Sequence, residues 1–394
     1  MIARRQLPVA SPISARALAR AFVHSLIARH ADGEAESLLI REFAAERVVL
    51  TDSGTSALVL ALRTVLPRES TVALPAYACP DLIAAARCAG ARVRLYDVDV
   101  STLSPDLDSV RGVIDRGVDA IVVVHLFGYP ADVSSVQELA TKAGVVVLED
   151  AAQAAGGTLH GRRLGTLGDV SILSFGRGKG LCAGGGGALL VRATERSAQN
   201  AVPDASEIDA DGALPAGRGW VGLAATAMQW ALGRPSLYAL PALLPFLHLG
   251  EMIYRDADEP SGISTASRSL IESALALEGA DVAVRRANAI ALEDAAKGAG
   301  VDTIRPIDGA RPGHLRYPIR NVEGRDFDSR IGIVRPYPRT LMEEPHLQRV
   351  LAPGEPPTPG AHELARTLVA LPTHRFVSVS DLAALTNWIS ARRV

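Results

Sequence analysis

Lysine is almost missing from this chain of 394 residues. Of its 41 basic residues, only Lys142, Lys179 and Lys297 are lysine, and the other 38 are arginine. Cysteine is as scarce. Cys79, Cys88 and Cys182 are odd in number and not spaced as metal ligands, so neither a disulfide framework nor a metal centre is expected and a reducing, cytoplasmic setting is. A formal net charge of −2 leaves no electrostatic case for nucleic acid or an anionic membrane. Long uninterrupted hydrophobic runs are missing too. The opening stretch, Met1 to Pro12, has basic residues with no continuous apolar segment behind them, so no signal peptide is expected. Residues 220–250 are poor in charge, but Gly233-Arg234-Pro235, Pro241 and Pro245 cut them into pieces too short to span a bilayer as one helix. That segment is expected to be a buried or subunit-interface element, with a lipid-facing surface as the alternative.

What is present is a large core: 48% of the residues are apolar and 21% charged, and the length calls for two lobes. From Val48 onward, short apolar runs alternate with helical patterns. The runs are 48–50, 72–74, 93–96, 120–124, 145–148 and 170–173; the helices open near Thr55, Pro80, Ser104 and Asp132. This order predicts an α/β fold, a three-layer, mostly parallel sheet covered on both faces. In such sheets ligands bind at the carboxyl ends of the strands, where Ser53-Gly54-Thr55, Tyr77, His125, Asp150 and Ser174 fall. Beyond Gly250 the pattern changes to a smaller α+β lobe. It comprises a helix over 267–299 bent or broken near Gly279, strands at 316–319 and 331–334, and a final helix near 379–392. Residues 353–360 read as a loop.

Lys179 stands in a glycine-rich run, Gly176 to Gly187, after an apolar strand. A chain that otherwise uses arginine keeps lysine where a deprotonatable amine must attack a carbonyl, since a guanidinium never loses its proton. The plain alternative is a surface cation. Asp150 ends a buried apolar run, where a carboxylate needs a cationic partner or a ligand; its plain alternative is a helix cap for Ala151 onward. Ser53 to Ala57 sit between a strand and a helix and read as a phosphate cradle or as an ordinary N-cap. Together, Lys179, Asp150, the helix terminus and Ser174 supply what a pyridoxal phosphate site requires.

The strings Asp52–Leu58, Val124–Asp132, Leu148–Ala154, Gly168–Phe175 and Lys179–Gly187 resemble the DegT/StrS family of sugar aminotransferases, dense over about 48–192 and looser at 285–289, 316–318 and 371–374. The resemblance implies fold type I and pyridoxal 5'-phosphate, with Lys179 as the Schiff-base lysine and Asp150 on the pyridine nitrogen. It places Gln153 beside the ring, and Gly54, Thr55, Ser56 and Ser174 on the phosphate. Cys79 stands where the family has its aromatic ring stacker, with Tyr77 the candidate in its place. The family's cross-subunit Asn is absent, which leaves Ser261, Ser264 or Thr265 of a neighbouring copy as candidates for the phosphate.

The expected activity is transfer of an amino group from an amino acid donor, glutamate by resemblance, to a keto sugar linked to a nucleotide. A non-sugar carbonyl acceptor and a non-catalytic sensor are the alternatives. A homodimer is expected. So is a division into an N-terminal segment (1–30) packing on the small lobe, a large cofactor-binding domain (31–249) and a small C-terminal domain (250–394). Two patterns mislead. Gly178 to Ala183 fits G-x-G-x-x-A, yet Gly184 to Gly187 block the helix a dinucleotide fingerprint needs. The same stretch fails as a P-loop, because Gly180 stands where a hydroxyl residue should follow the lysine.

Overall fold

Seven apolar runs pair into one sheet in the computed structural model, which describes residues 5–10, 13–27, 33–67, 69–192, 214, 219–242, 254–322 and 327–392. The first five are β1 (Arg47–Thr51), β2 (Thr71–Pro75), β3 (Arg92–Tyr96), β4 (Ala120–Val124) and β5 (Val146–Asp150). A short hairpin of β6 (Thr158–Leu159) and β7 (Arg162–Arg163) precedes β8 (Val170–Ser174) and β9 (Gly187–Val191). The sheet order is β1-β9-β8-β5-β4-β2-β3, and every pair from β8 to β3 is parallel. The return strand β9 runs antiparallel to both β8 and β1. The lysine-bearing loop therefore turns back on itself, as its glycines require, instead of opening a helix.

Alternation along the strands splits the core between two faces. Val49, Leu74, Val122, Leu148 and Ile172 pack with α3 (Gly54–Val65) and α4 (Asp81–Ala89). Leu50, Ala73, Val123, Val147 and Leu173 pack on the other face, against α2 (Glu34–Phe43), α5 (Leu107–Asp115) and α6 (Val133–Ala143). Each fully buried aliphatic side chain is worth roughly 1.5–3 kcal/mol of transfer free energy, so both faces bind the sheet strongly. Asp106 and Asp132 start α5 and α6 by accepting the backbone N–H groups of Ser109 and Ser135.

On the N-terminal side, α1 (Ala15–Ile27) packs on α7 (Gly219–Leu232) and on α9 (Thr265–Ala299). Ahead of it, Gln6 Nε2 donates to Phe376 O at 2.8 Å and Asp381 Oδ2 at 2.9 Å. The breaker at 233–235 separates α7 from α8 (Pro235–Ala242) as expected. Both domain boundaries expected from the sequence, 30/31 and 249/250, lie outside the described residues.

The C-terminal lobe departs from expectation in three places. The 35 residues of α9 run unbroken through Gly279. Its flanks are anchored, Glu278 to Arg163 and Asp281 to Arg375, which holds the turn that the glycine would loosen. Residues 331–334 do not form a strand; Ser329–Ile331 is a 3-10 turn and Val334 makes a single bridge to Ala370. The loop expected over 353–360 ends earlier, because Pro359 opens α10 (Pro359–Thr367) at a position where its missing N–H costs nothing. Beyond these, β10 (Ala310–Arg311) joins the β6–β7 hairpin, β11 (Arg316–Ile319) pairs with β12 (Val369–Pro372), and α11 (Val379–Ser390) closes the chain.

Candidate active site

The carboxyl ends of β1, β5 and β8 and the start of α3 surround a pocket of about 270 Å³. Gly54, Thr55, Asp150, Gln153, Ser174 and Lys179 all line it, along with Asp52, Cys79 and Asp81. Four stretches of sequence, centred near residues 54, 80, 151 and 178, are thus brought to one place by the parallel register.

The cradle is tight. A Cβ on Gly54 would lie 2.7 Å from Ser174 Cβ, and one on Gly187 2.4 Å from Ser53 O, so glycine alone lets β8, β9 and the start of α3 approach this closely. Ser53 is a true N-cap: its Oγ accepts the Ser56 N–H at 3.0 Å and donates to Ser56 Oγ at 2.9 Å. That engages Ser56, which is buried and off the pocket wall, against the expectation that it faces the phosphate. Thr55 N–H has no hydrogen-bond partner among the described residues, and it lies at the positive end of the helix dipole.

Asp150 is 8% exposed, and no helix follows it. The cap reading therefore fails: the carboxylate accepts one local bond, from Ala152 N at 2.9 Å, within a turn. Burial raises its pKa, and the charge of Lys179 pulls the other way. Lys179 has no ion pair or side-chain hydrogen bond among the described residues, so its amine is left for chemistry. Beside them Gln153 is fixed at both ends, accepting from Phe127 N at 3.1 Å and donating to Tyr337 Oη at 3.0 Å.

Tyr77 does not line the pocket. It is fully buried with its ring edge-on to Tyr337 at 5.3 Å, because the apolar turn after β2 drives it into the core under α4. The wall at the stacking position is Cys79 itself, whose thiol is pushed to high pKa by burial and then by the charge of Asp81. Asp81 was visible in the sequence only as a helix start, and Tyr337 gave no local signal. Of the residues considered for a neighbouring copy's contribution, Ser264 is committed to capping α9 through Ser267 N at 3.1 Å. The Ser261 carbonyl accepts Asp52 N–H at 2.8 Å within the same chain. Among the described residues no group of acidic, Cys or His side chains could hold a metal ion.

A buried acid beside a free lysine, below a helix terminus with hydroxyls, is the donor set that pyridoxal phosphate requires, and these residues fit it. The fold agrees. An aminotransferase of the DegT/DnrJ/EryC1/StrS kind from Brucella abortus superposes with a TM-score of 0.71 over 96% of this chain and 95% of its own, at 21% identity. This is the α/β architecture of fold type I, with its mostly parallel central sheet. Residues 34–202 match the model of the DegT/DnrJ/EryC1/StrS aminotransferase family. That segment holds every residue discussed above from Gly54 to Lys179. The chain is 35% identical over 143 residues to dTDP-4-dehydro-2,3,6-trideoxy-D-glucose 4-aminotransferase of Saccharopolyspora spinosa, covering 36% of this chain and 37% of that one. It is 36% identical over 142 residues to a UDP-N-acetyl-3-dehydro-alpha-D-glucosamine 3-aminotransferase of Acidithiobacillus ferrooxidans, covering 36% and 38%. The chain thus matches little more than a third of the length of these curated relatives.

Proposed function

We propose that the protein is a pyridoxal 5'-phosphate-dependent aminotransferase that moves an amino group from an amino acid, glutamate, to a keto sugar linked to a nucleotide. The observation that carries the reading is the pairing of a partnerless lysine, Lys179, with a buried acid, Asp150, on one pocket wall beside the α3 terminus. When bound, the cofactor supplies a carbonyl carbon for the amine and a pyridine ring that withdraws electrons.

In this reading Lys179 Nζ tethers the cofactor. Its amine would also carry a proton, taking one from the donor's α-carbon and giving one to the acceptor carbon. Asp150 would accept a hydrogen bond from the protonated ring nitrogen, whose positive charge would favour its ionised form over the neutral one that burial promotes. Gln153, clamped between Phe127 and Tyr337, keeps its amide beside the ring. Gly54, Thr55 and Ser174 hold the phosphate. Ser56 and Tyr77 support this wall from the next layer, Ser56 through Ser53 and Tyr77 through Tyr337.

The acceptor class rests on the names of the two relatives, both nucleotide-sugar aminotransferases. The test runs the two half-reactions separately. Glutamate added to the loaded protein should release 2-oxoglutarate in stoichiometric amount, and a dTDP-4-keto sugar should then regain the nitrogen. Release of no 2-oxo acid from glutamate or from any other amino acid overturns the reading; transfer to a non-sugar ketone alone overturns the acceptor.

The same reading includes a homodimer. Exposed Phe22 and Val23 on α1, Met228 on α7 and Leu237 on α8 supply apolar surface for one, and light scattering at low micromolar concentration tests it. It includes a large domain over 31–249 for the cofactor, a small one over 250–394 and the 1–30 segment on the small one. It also includes a cytoplasmic setting. No helix of the described residues is long and apolar enough to cross a membrane.

A further inference from the structure

The glycines around Lys179 leave no spare room. At Gly178 a Cβ would lie 2.8 Å from Val9 Cγ1, and at Gly184 it would run into the Thr226 side chain. At Gly180, directly after the lysine, it would run into Ala155 Cβ and stand 3.1 Å from Arg285 Nη1. Glycine is what lets each of these neighbours close on the loop. Of them only Arg285 carries a charge. Its side chain is 1% exposed and does not line the pocket.

Arg285 comes from α9, where Glu278, Asp281, Val282 and Arg285 are buried and, three and four residues apart, share one face of the helix. Val282 closes on Gly156, where a Cβ would run into its side chain, and Arg286 Nη2 donates to Gly156 O at 2.8 Å. This part of α9 therefore rests on two segments at once. One is the turn that follows Asp150 and carries Gln153; the other is the loop that carries Lys179. They meet where Ala155 approaches Gly180, and Arg285 stands at that junction. The charges of Asp281 and Glu278 act on it, but Asp281 also pairs with Arg375 at 2.6 Å and Glu278 with Arg163 at 2.5 Å. Burial outweighs both and pulls the pKa of the guanidinium below its usual value. Replacing buried charges by apolar side chains of similar volume is often neutral or stabilising, so packing alone gives no reason for arginine here.

We infer that Arg285 is a positioning residue for the proposed reaction: it locks the Lys179 loop to the turn that carries Gln153, and so sets the lysine opposite Asp150. It touches neither cofactor nor substrate. A rigid, planar guanidinium can fix two backbone segments at one angle, which a flexible ammonium or an apolar chain does less well. The consequence for chemistry rests on the aminotransferase reading, whereas the lock itself can be measured without cofactor, so the two can fail separately.

The test is hydrogen exchange of the full chain, with and without cofactor, in wild type, R285M and R285K. The N–H groups of Ala154 and Gly157, bonded to Ala151 O at 3.0 Å and Ala154 O at 2.9 Å, report on the turn. Those of Lys179 and Ala183, bonded to Gly176 O at 3.2 Å and Phe175 O at 3.0 Å, report on the loop. R285M should speed exchange in both segments together by at least about tenfold while β4 and β5 keep theirs, and R285K should recover part of the protection. In the loaded protein the circular dichroism of the visible band, which follows how the cofactor is seated, should weaken by about half or more in R285M. Exchange raised through α9 and the sheet alike, with unchanged dichroism, would make Arg285 a residue of the fold only and overturn the inference; wild-type behaviour in both measurements would overturn it too. If R285M does not fold, R285K decides, and wild-type exchange in both segments with unchanged dichroism overturns the lock. A wild type that takes up no cofactor would defeat the aminotransferase reading instead, and exchange in the bare protein would still decide the role of Arg285.

Discussion

Glu149 and Asp150 are neighbours in the sequence, both at the end of β5 and both buried, yet they face opposite layers and do opposite things. Glu149 shares its face with Val147 and is saturated. It accepts from His125 Nε2 at 2.9 Å, from the N–H groups of Gly165, Leu167 and Gly168, and from Ser171 Oγ at 2.9 Å, with Arg192 close behind. Burial alone would raise its pKa; these partners, His125 first, bring it down to about 2. Asp150 shares its face with Leu148 and has a single local hydrogen bond, so burial wins and its pKa rises. A buried charge is thus no sign of function by itself. The sign is a buried charge that the chain leaves incomplete.

Four substitutions sharpen this contrast. The largest effect is expected for Asp150→Asn, on turnover. The amide cannot keep the ring nitrogen protonated, so the rate should fall by about a hundredfold or more. Stability should hold or rise slightly. A carboxyl whose folded pKa is raised above 3.8 loses stability as pH rises through that range, and the neutral amide escapes the loss. Unchanged turnover in a steady-state assay would reduce Asp150 to a turn residue.

Glu149→Gln should do the reverse, leaving the pocket wall chemically intact and destabilising the fold by about 3 kcal/mol in urea, because Arg192 loses its buried counter-charge and the N–H groups of Gly165, Leu167 and Gly168 lose a carboxylate acceptor. Its depressed pKa gives a contribution present above the unfolded value of 4.5 and lost as pH falls toward about 2. The wild type should therefore lose stability over that window, and the variant should lose less. A variant with wild-type stability and the same acid limb would contradict the structural role.

The smallest effect separates Ser53 from Thr55. Ser53→Ala removes the α3 cap and should cost about 1 kcal/mol with cofactor affinity little changed. Thr55→Ala should leave the denaturation midpoint nearly unmoved and weaken cofactor binding, read by absorbance titration. If both variants behave alike in both assays, the cap and the cradle are one function.

Much of this division was legible in the sequence because it follows β-strand periodicity. Apolar runs read as strands since both sheet faces are covered, and an acid closing such a run, as at Asp150, stands out against it. The antiparallel return of β9 followed from the glycines after Lys179. What was not legible depends on packing between distant segments. Tyr337 reaches Gln153 across 184 positions of sequence. The approach to β11 at His314 and Leu315 closes on Gly128, far back in the chain. Tyr77 looked available for stacking because nothing local says that the turn after β2 buries its ring. The helix through Gly279 and the early start of α10 depend on distant partners too: ion pairs flank Gly279, and Asp97 accepts the Gly360 and Ala361 N–H groups where Pro359 opens α10.

The central claim is that Lys179, alone of the three lysines, is the amine kept for chemistry. Loading the protein with pyridoxal phosphate, reducing with borohydride and mapping the peptides tests it directly. The account predicts a pyridoxyl group on Lys179 in the peptide spanning the glycine run. A label on Lys142 or Lys297, or no label at all, would contradict it.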